Sequence, residues 1–538
     1  MIENASTIGW ASDQEYLVSS EDLQSLQELR QKDEQIGSFV ESKYGKYYLP
    51  TNLLIKIFRR LKFEVVRIGT ILFSRLFKRF SRFWRKAVSN KLIYKGSDRI
   101  ETDGTQLEIV ELSASPEELC KRLSTTQATH WILVKPNAQL LKSGVKFLLE
   151  ASKAPNKLLH YGDSATPIGL IDRRPKHSKL LQRQIDISGP VIMSSTSLLR
   201  KVVSKSISTE LWPLELFLNA KEDEINQVPE VLSLGNFFDI FNIENRQQYI
   251  VLVLRNLENS SVSAHVSLGK FNQRIVSYEN TKKGKVSIVI PTRGTRVEGK
   301  ALIVNAVKTI MEKTLYQDFE ILVVADQDTP QEVILELEMI AGERLLLVRW
   351  KDSFNFSKKM NLGSVVSRGE YLLFLNDDVE LVSPRWIDEM VGLLEIDGIG
   401  YVGALLFFQD GTIQHAGHFY ESGAGHIAFK QTFKPQDPRQ LYAYDRKVSG
   451  ITAACALVPK RIFLEAGGFS EIFPGNYNDV DFALKVNELG YDSAVASNAR
   501  LYHFESKSRD ATVKRPELLA LHRRWYAKIQ KDTWFRGL

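Results

Sequence analysis

Asp377 and Asp378 stand side by side directly after the apolar run Tyr371 to Leu375, with Asn376 before them. Five aromatic and branched residues in succession read as a buried strand. Two adjacent carboxylates at its carboxyl end need a reason. Ligands sit outside the strand ends of an open α/β sheet, and hard oxygen donors placed there suit Mg²⁺ or Mn²⁺ carrying a diphosphate. A solvated turn is the plainer reading, since Asn and Asp bond their own backbone. Farther on, Asp479 and Asp481 open a helix that stops at Gly490. Two residues apart, they point to different faces and so have different jobs. One is a candidate general base, the other a helix cap. His503, set between aromatics in LYHFES, reads as a satisfied core histidine unless it shares a ligand, for which Asp378 is the candidate. His415 and His418 are three apart, a spacing that separates them on a strand and disfavours joint metal binding.

These residues need strands to aim them. VSIVI (286–290), ILVVA (321–325), RLLLV (344–348) and YLLFL (371–375) are short continuous apolar runs, as expected of parallel strands covered on both faces. Segments of helical length lie between them, which gives a doubly wound α/β domain. The first strand ends in Pro291, Thr292 and Arg293, and Asp326 and Asp328 follow the second. At successive strand ends, these are polar edges fit to meet a base, a ribose or a phosphate.

The chain has 538 residues, too long for one ordinary core, with 43% hydrophobic and 25% charged residues. Cys120 and Cys455 are its only cysteines, without disulfide or zinc spacing, so a reducing cytoplasm is expected. Neither a secretory signal nor an apolar run of spanning length is read. The net charge of +7 is uneven: from Leu53 to Lys86 there are eleven Lys or Arg against the single Glu64.

Five segments are expected. Residues 1–50 are polar, reading as a capped, exposed helix or a partly ordered tail. Residues 51–95 place Leu54, Phe58, Leu61, Val65, Ile68, Leu72, Leu76, Phe80 and Phe83 on one helical stripe flanked by cations. Such a helix either lies in a membrane interface on anionic headgroups or docks on the protein. Its aromatics do not interleave with the basic residues as nucleic-acid stacking requires. Residues 96–240 have α/β texture without a catalytic cluster, 241–283 connect, and 284–538 form the catalytic domain.

VSIVIPTRG, FNFSKKMNLG, GEYLLFLNDDVE, GTIQHAGH, SGITAACALVPKRIF, GGFSEIFPGNYNDVDFALK and LYHFESKSR, in this order, resemble the nucleotide-sugar glycosyltransferases of family 2, including rhamnosyl- and galactofuranosyl-type enzymes of surface polysaccharide assembly. The match covers roughly residues 285–510. The resemblance implies a GT-A fold, a Rossmann-like doubly wound sheet, and a divalent cofactor, Mn²⁺ or Mg²⁺. It puts Asn376, Asp377 and Asp378 at the DXD-type site, with Asp378 as metal ligand, His503 completing the metal shell and Asp479 as base. Pro291, Thr292, Arg293, Asp326, Lys358, Asn361, Asn376 and Asp377 would hold the donor. Two departures stand out: Asn376 replaces the usual first acidic residue, and Ala325 stands where an acidic residue usually follows the second strand.

Residues 96–240 resemble a truncated, non-catalytic copy of the same fold. HWILVKPNAQL echoes the DXD region without its carboxylates, and the first strand with a PTRG-like end is missing. The expected function is inverting, metal-dependent transfer of a sugar from a nucleotide-diphosphate donor to a hydroxyl of a lipid-linked glycan acceptor in cell-surface polysaccharide assembly, by a cytoplasmic protein peripheral at the inner face of the plasma membrane. The stretch His426 to Arg446 is expected to form an acceptor-side lid. A nucleotidyltransferase and a non-catalytic sugar-binding scaffold are the alternatives, and no nucleic-acid partner is expected.

Overall fold

The computed structural model describes residues 16–45, 93–94, 98–102, 105–166, 171–203, 207–235, 246–269, 274–279, 281, 283–435, 437, 440–504 and 513–535. The basic amphipathic stretch, including residues 53–86, lies outside them. The chain divides into two compact units, one of Met1–Tyr48, Val262–His265 and Ser277–Phe535, the other of Leu49–Ser261, Val266–Val276 and Arg536–Leu538.

The unit carrying the candidate residues begins with α1 (Ser20–Tyr44). Ser19 and Asp22 form a reciprocal capping box at its start. The helix then contributes to the core rather than standing exposed: Leu26, Leu29 and Val40 are buried. So is Asp33, which accepts from Lys485 Nζ at 2.8 Å, Ser470 Oγ at 2.7 Å and Arg524 at 3.2 Å. Lys485 and Arg524 also face Asp481, at 3.5 and 3.1 Å. Two carboxylates thus meet two cations away from water, and removing one member would leave an uncompensated buried charge.

The central sheet follows from the apolar runs. Strands β1 (Val286–Thr292), β2 (Phe319–Asp326), β3 (Leu345–Trp350) and β4 (Tyr371–Leu375) are mutually parallel in the order β3-β2-β1-β4, with helices α2 (Leu302–Lys313), α3 (Gln331–Ala341) and α4 (Phe356–Val366) between them. All of β1 and β4 is buried, consistent with cover on both faces. Helix α4 packs closely on β1 at Gly363, where an added Cβ would come within 2.4 Å of Val289 Cγ1. The order continues β4-β11-β6-β12-β5 through β5 (Val379–Leu381), β6 (Ile399–Phe407), β11 (Cys455–Pro459) and β12 (Asp492–His503). Strands β7 (Ile413–His415) and β10 (Arg446–Val448) pair with β6 and β12, and β8 (His418–Tyr420) and β9 (Ala424–His426) form a separate hairpin. Helix α5 (Trp386–Leu394) precedes β6, α6 (Lys460–Glu465) follows β11, α7 (Asn478–Glu488) precedes β12, and α8 (Arg515–Trp525) closes the unit.

The other unit has its own eight-stranded sheet. Thr105–Glu111 runs parallel to His130–Val134, which is antiparallel to Val191–Ser195; that strand is antiparallel to Leu159–Ala165, which is parallel to Ile225–Leu234, and Gln139–Leu140 closes the edge antiparallel. This is the order and direction of β1-β4-β11-β6-β12-β5. The expectation that the first strand is missing is therefore corrected: Thr105–Glu111 occupies its place. What has no counterpart is the pair β2 and β3, whose edge is taken by a short antiparallel strand, Arg99–Thr102. Where Asn376, Asp377 and Asp378 stand after β4, this unit has Lys135, Pro136 and Asn137, and Lys135 Nζ is fixed 2.6 Å from buried Asp186.

Candidate active site

The strand ends and the start of α7 enclose one cleft of about 530 Å³. Pro291, Thr292, Arg293, Asp326, Asn376, Asp377, Asp378, Asp479 and His503 all line it. Lys358 and Asn361 do not, which corrects the donor-binding expectation for both. The Lys358 amide N–H donates to the Asn355 side chain, which caps α4. It is Lys359 that reaches into the cleft, paired with Asp326. Successive helix positions face about 100° apart, so two adjacent lysines cannot share this role. Asn361 is buried, exchanging hydrogen bonds at 2.9 Å with the carbonyl and amide of Phe469. It fastens α4 to the loop ahead of α7.

Asp377 and Asp378 divide the work of the adjacent carboxylates. Asp377 accepts from Thr292 Oγ1 at 2.7 Å and so ties the end of β4 to the end of β1. Burial, helped by the Asp378 charge, pushes its carboxyl up to about 6. Asp378 faces His503, whose Nε2 lies 3.0 Å from Asp378 Oδ1 and 3.1 Å from Asn376 Nδ2. The imidazole is held from behind. Gln414 Nε2 donates to the His503 carbonyl at 3.4 Å, which orients the amide so that Gln414 Oε1 accepts from His503 Nδ1 at 2.6 Å. With the proton on Nδ1, the Nε2 lone pair accepts from Asn376 Nδ2, a side chain on the cleft wall, and meets the Asp378 carboxylate across 3.0 Å. A carboxylate with an imidazole fixed through its second nitrogen is a donor set that fits a divalent ion.

Asp479 and Asp481 separate as their spacing predicts, though Asp481 does not cap the helix. It is buried, accepts from Trp525 Nε1 at 2.8 Å, and belongs to the charge cluster with Asp33. Asp479 opens onto the cleft. Its Oδ1 accepts from the Val480 amide at 2.9 Å, and its Oδ2 lies 4.0 Å from His418 Nε2. Tyr477, which precedes α7, has φ 63°, an uncommon conformation for a non-glycine residue and one that gathers at functional sites. Glu517 of α8 holds the turn by accepting from the amides of Gly475 and Asn476 at 2.9 and 2.7 Å.

His415, His418 and His426 converge, contrary to the expectation from their spacing. Gly417, at φ 101°, breaks the strand between the first two, and their rings lie 4.9 Å apart. One nitrogen from each of the three lies within 4.8 Å of the others, a spacing open to a metal ion. The hydrogen bonds argue for another use. The Thr452 amide N–H donates to His415 Nε2 at 3.2 Å, which leaves the proton on His415 Nδ1, and that N–H faces His426 Nδ1 at 2.8 Å. His415 is thereby a donor, without a lone pair for a cation. His418 is neutral near pH 7, since burial holds it down to about 4 against the pull of the Asp479 charge.

Residues 287–466 match the family model Glycosyl transferase family 2. These residues therefore carry a family 2 glycosyltransferase domain, set on the α/β sheet described above. Among curated proteins it is 32% identical over 259 residues to the O-antigen biosynthesis protein RfbC of Myxococcus xanthus, covering 48% of this chain and 20% of that protein. It is 35% identical over 258 residues to the uncharacterized protein y4gI of Sinorhizobium fredii (strain NBRC 101917 / NGR234), covering 45% and 27%. The chain thus spans about a fifth to a quarter of the length of these relatives. Among solved structures, GalNAc-T7 with UDP, GalNAc and Mn²⁺ matches at 14% identity and a TM-score of 0.35, over 44% of this chain and 47% of that one. The mannosyltransferase PcManGT of Pyrobaculum calidifontis, in complex with GDP-Man and Mn²⁺, matches at 16% and 0.32, over 46% and 71%.

Proposed function

We propose that the chain is an inverting, metal-dependent glycosyltransferase that moves a sugar from a nucleotide-diphosphate donor to a hydroxyl of a lipid-linked glycan in cell-surface polysaccharide assembly. The observation that carries this reading is the convergence, in one cleft, of the Asp479 carboxylate with the Asp378 and His503 pair. The name of the Myxococcus relative supports the pathway. Thr292, Arg293, Asp326 and Lys359 line the cleft beside β1 and β2 and would receive the nucleotide. Asp479 takes the proton of the acceptor hydroxyl as its oxygen bonds to the anomeric carbon, and the bond to the diphosphate breaks on the opposite face. A divalent ion held by Asp378 and His503, Mn²⁺ or Mg²⁺, would supply charge stabilisation for the departing diphosphate. Membrane attachment through residues 53–86 belongs to the same proposal; among the described residues no helix is long and apolar enough to cross a membrane.

Thermal shift tests the donor site. With UDP-, GDP- and dTDP-sugars at a hundredfold excess over Kd, one donor is expected to stabilise the protein by about 3 kcal/mol. The effect should require Mn²⁺ or Mg²⁺ and vanish in Asp378→Ala. Silence from every donor would sink the transferase reading in favour of a scaffold, and pyrophosphate release from a nucleoside triphosphate would favour a nucleotidyltransferase.

A further inference from the structure

Two large aromatic side chains line the cleft while remaining open to water, Phe354 at 48% exposure and Phe429 at 46%. They belong to different ends of it. Phe354 lies near Lys359, whose ammonium is 5.7 Å from the ring and pairs with Asp326. Phe429 lies beside the histidines: its ring is 6.0 Å from that of His426, the His426 ring is 5.1 Å from that of His418, and His418 Nε2 is 4.0 Å from Asp479 Oδ2. Phe429 is also held in place, with its edge against Phe408 at 5.4 Å and its two neighbours, Ala428 and Lys430, both at φ 59°. Two excursions into left-handed backbone by non-glycine residues, one on each side of Phe429, are costly and persist where the surroundings impose them.

Resting on the transferase reading, we infer that His418 and Phe429 form the acceptor subsite, which takes a sugar ring with the attacking hydroxyl seated between His418 and Asp479. The separation of 4.0 Å is too long for a direct hydrogen bond. It is right for a hydroxyl oxygen about 2.8 Å from each, which closes a triangle over the gap. That hydroxyl donates its proton to Asp479 Oδ2 and accepts from His418 Nε2–H, leaving its other lone pair for the anomeric carbon. His418 is 3% exposed, its Nδ1 has no hydrogen-bond partner among the described residues, and its neutrality leaves the Asp479 charge undiminished. The apolar face of the ring then lies on Phe429, an amphipathic fit of the kind aromatic side chains provide. His415, buried behind His426 and fixed by Thr452, is a positioning residue for this wall.

Saturation-transfer NMR on the full chain with UDP and millimolar methyl α-D-mannopyranoside, methyl α-D-galactopyranoside and methyl α-L-rhamnopyranoside tests the subsite. Ring-proton saturation of at least one glycoside is expected in the wild type. Phe429→Ala should weaken binding by roughly three- to tenfold with UDP signals unchanged. His418→Leu should lose the glycoside and His418→Gln, which retains an N–H donor, should keep it. Glycoside binding in a chain that binds no nucleotide would uphold the subsite and remove the transferase reading. Nucleotide binding with no glycoside signal, a signal unchanged in Phe429→Ala, or stoichiometric Zn²⁺ uptake by an Asp378→Ala variant that His426→Ala abolishes, would overturn the subsite.

Discussion

Asp479→Asn is expected to slow sugar transfer by about 10²–10⁴-fold, the usual contribution of a positioned base, with donor affinity unchanged. The amide is nearly isosteric. Its oxygen can still accept from the Val480 amide, so the start of α7 keeps its geometry. What disappears is the capacity to take a proton at Oδ2, the atom that faces the cleft and His418. The measurement is a pair: transfer rate with saturating donor, and donor Kd by calorimetry or thermal shift. A variant that folds normally but no longer binds donor would place Asp479 in the donor pocket and remove it as the base.

Asp33→Asn should cost about 3 to 5 kcal/mol of stability, the range for removing one partner of a buried ion pair, although Asp33 lies on a helix outside the family match. Asp33 balances Lys485 and Arg524 together with Asp481, and the side chains of the four are almost wholly removed from water. Neutralising Asp33 leaves two buried cations against one carboxylate. The pH dependence follows from the same contacts. Burial alone would push the Asp33 carboxyl up, but Lys485 and Arg524 prevail and hold it at about 2, below its ordinary value of 3.8. A depressed carboxylate contributes stability that is present above the unfolded value and lost as pH falls through the folded one. The gap between wild type and Asp33→Asn in urea midpoint should therefore be constant from pH 7 to about 5 and shrink below about pH 4. A gap independent of pH down to 3 would mean that the helix is held by packing alone.

Much of the cleft could be read in the sequence because the chemistry sits where periodicity ends. Apolar runs locate β1, β2 and β4, and the polar residues just beyond them, Pro291 to Arg293, Asp326 and Asn376 to Asp378, have nowhere to go but the carboxyl edge of the sheet. The errors arise where a side chain's direction depends on a neighbour distant in sequence. Whether Lys358 or Lys359 enters the cleft is set by how α4 seats Gly363 against Val289, which no local pattern encodes. Asn361 has the right type for a ligand and is spent on the Phe469 backbone. The histidine wall depends on the turn at Gly417, and the strand spacing that seemed to separate His415 from His418 does not run through it. In the other unit, the correspondence of the strand Thr105–Glu111 to β1 lies in its pairing with His130–Val134 and not in its end residues.

The docking of α1 also has a bearing on the order in which the molecule can be completed. The helix is synthesised long before Lys485 and Arg524. Their contacts with Asp33 span 452 and 491 residues. Closing so long a loop costs entropy that only the finished contacts return, and domains otherwise tend to fold as they emerge. The second unit, encoded between the two, can reach its native sheet while α1 waits. The unit that holds the cleft therefore closes only after the chain as far as Arg524 has left the ribosome, and a chain that stops short of it cannot assemble the Asp33 cluster beneath α7, the helix that carries Asp479.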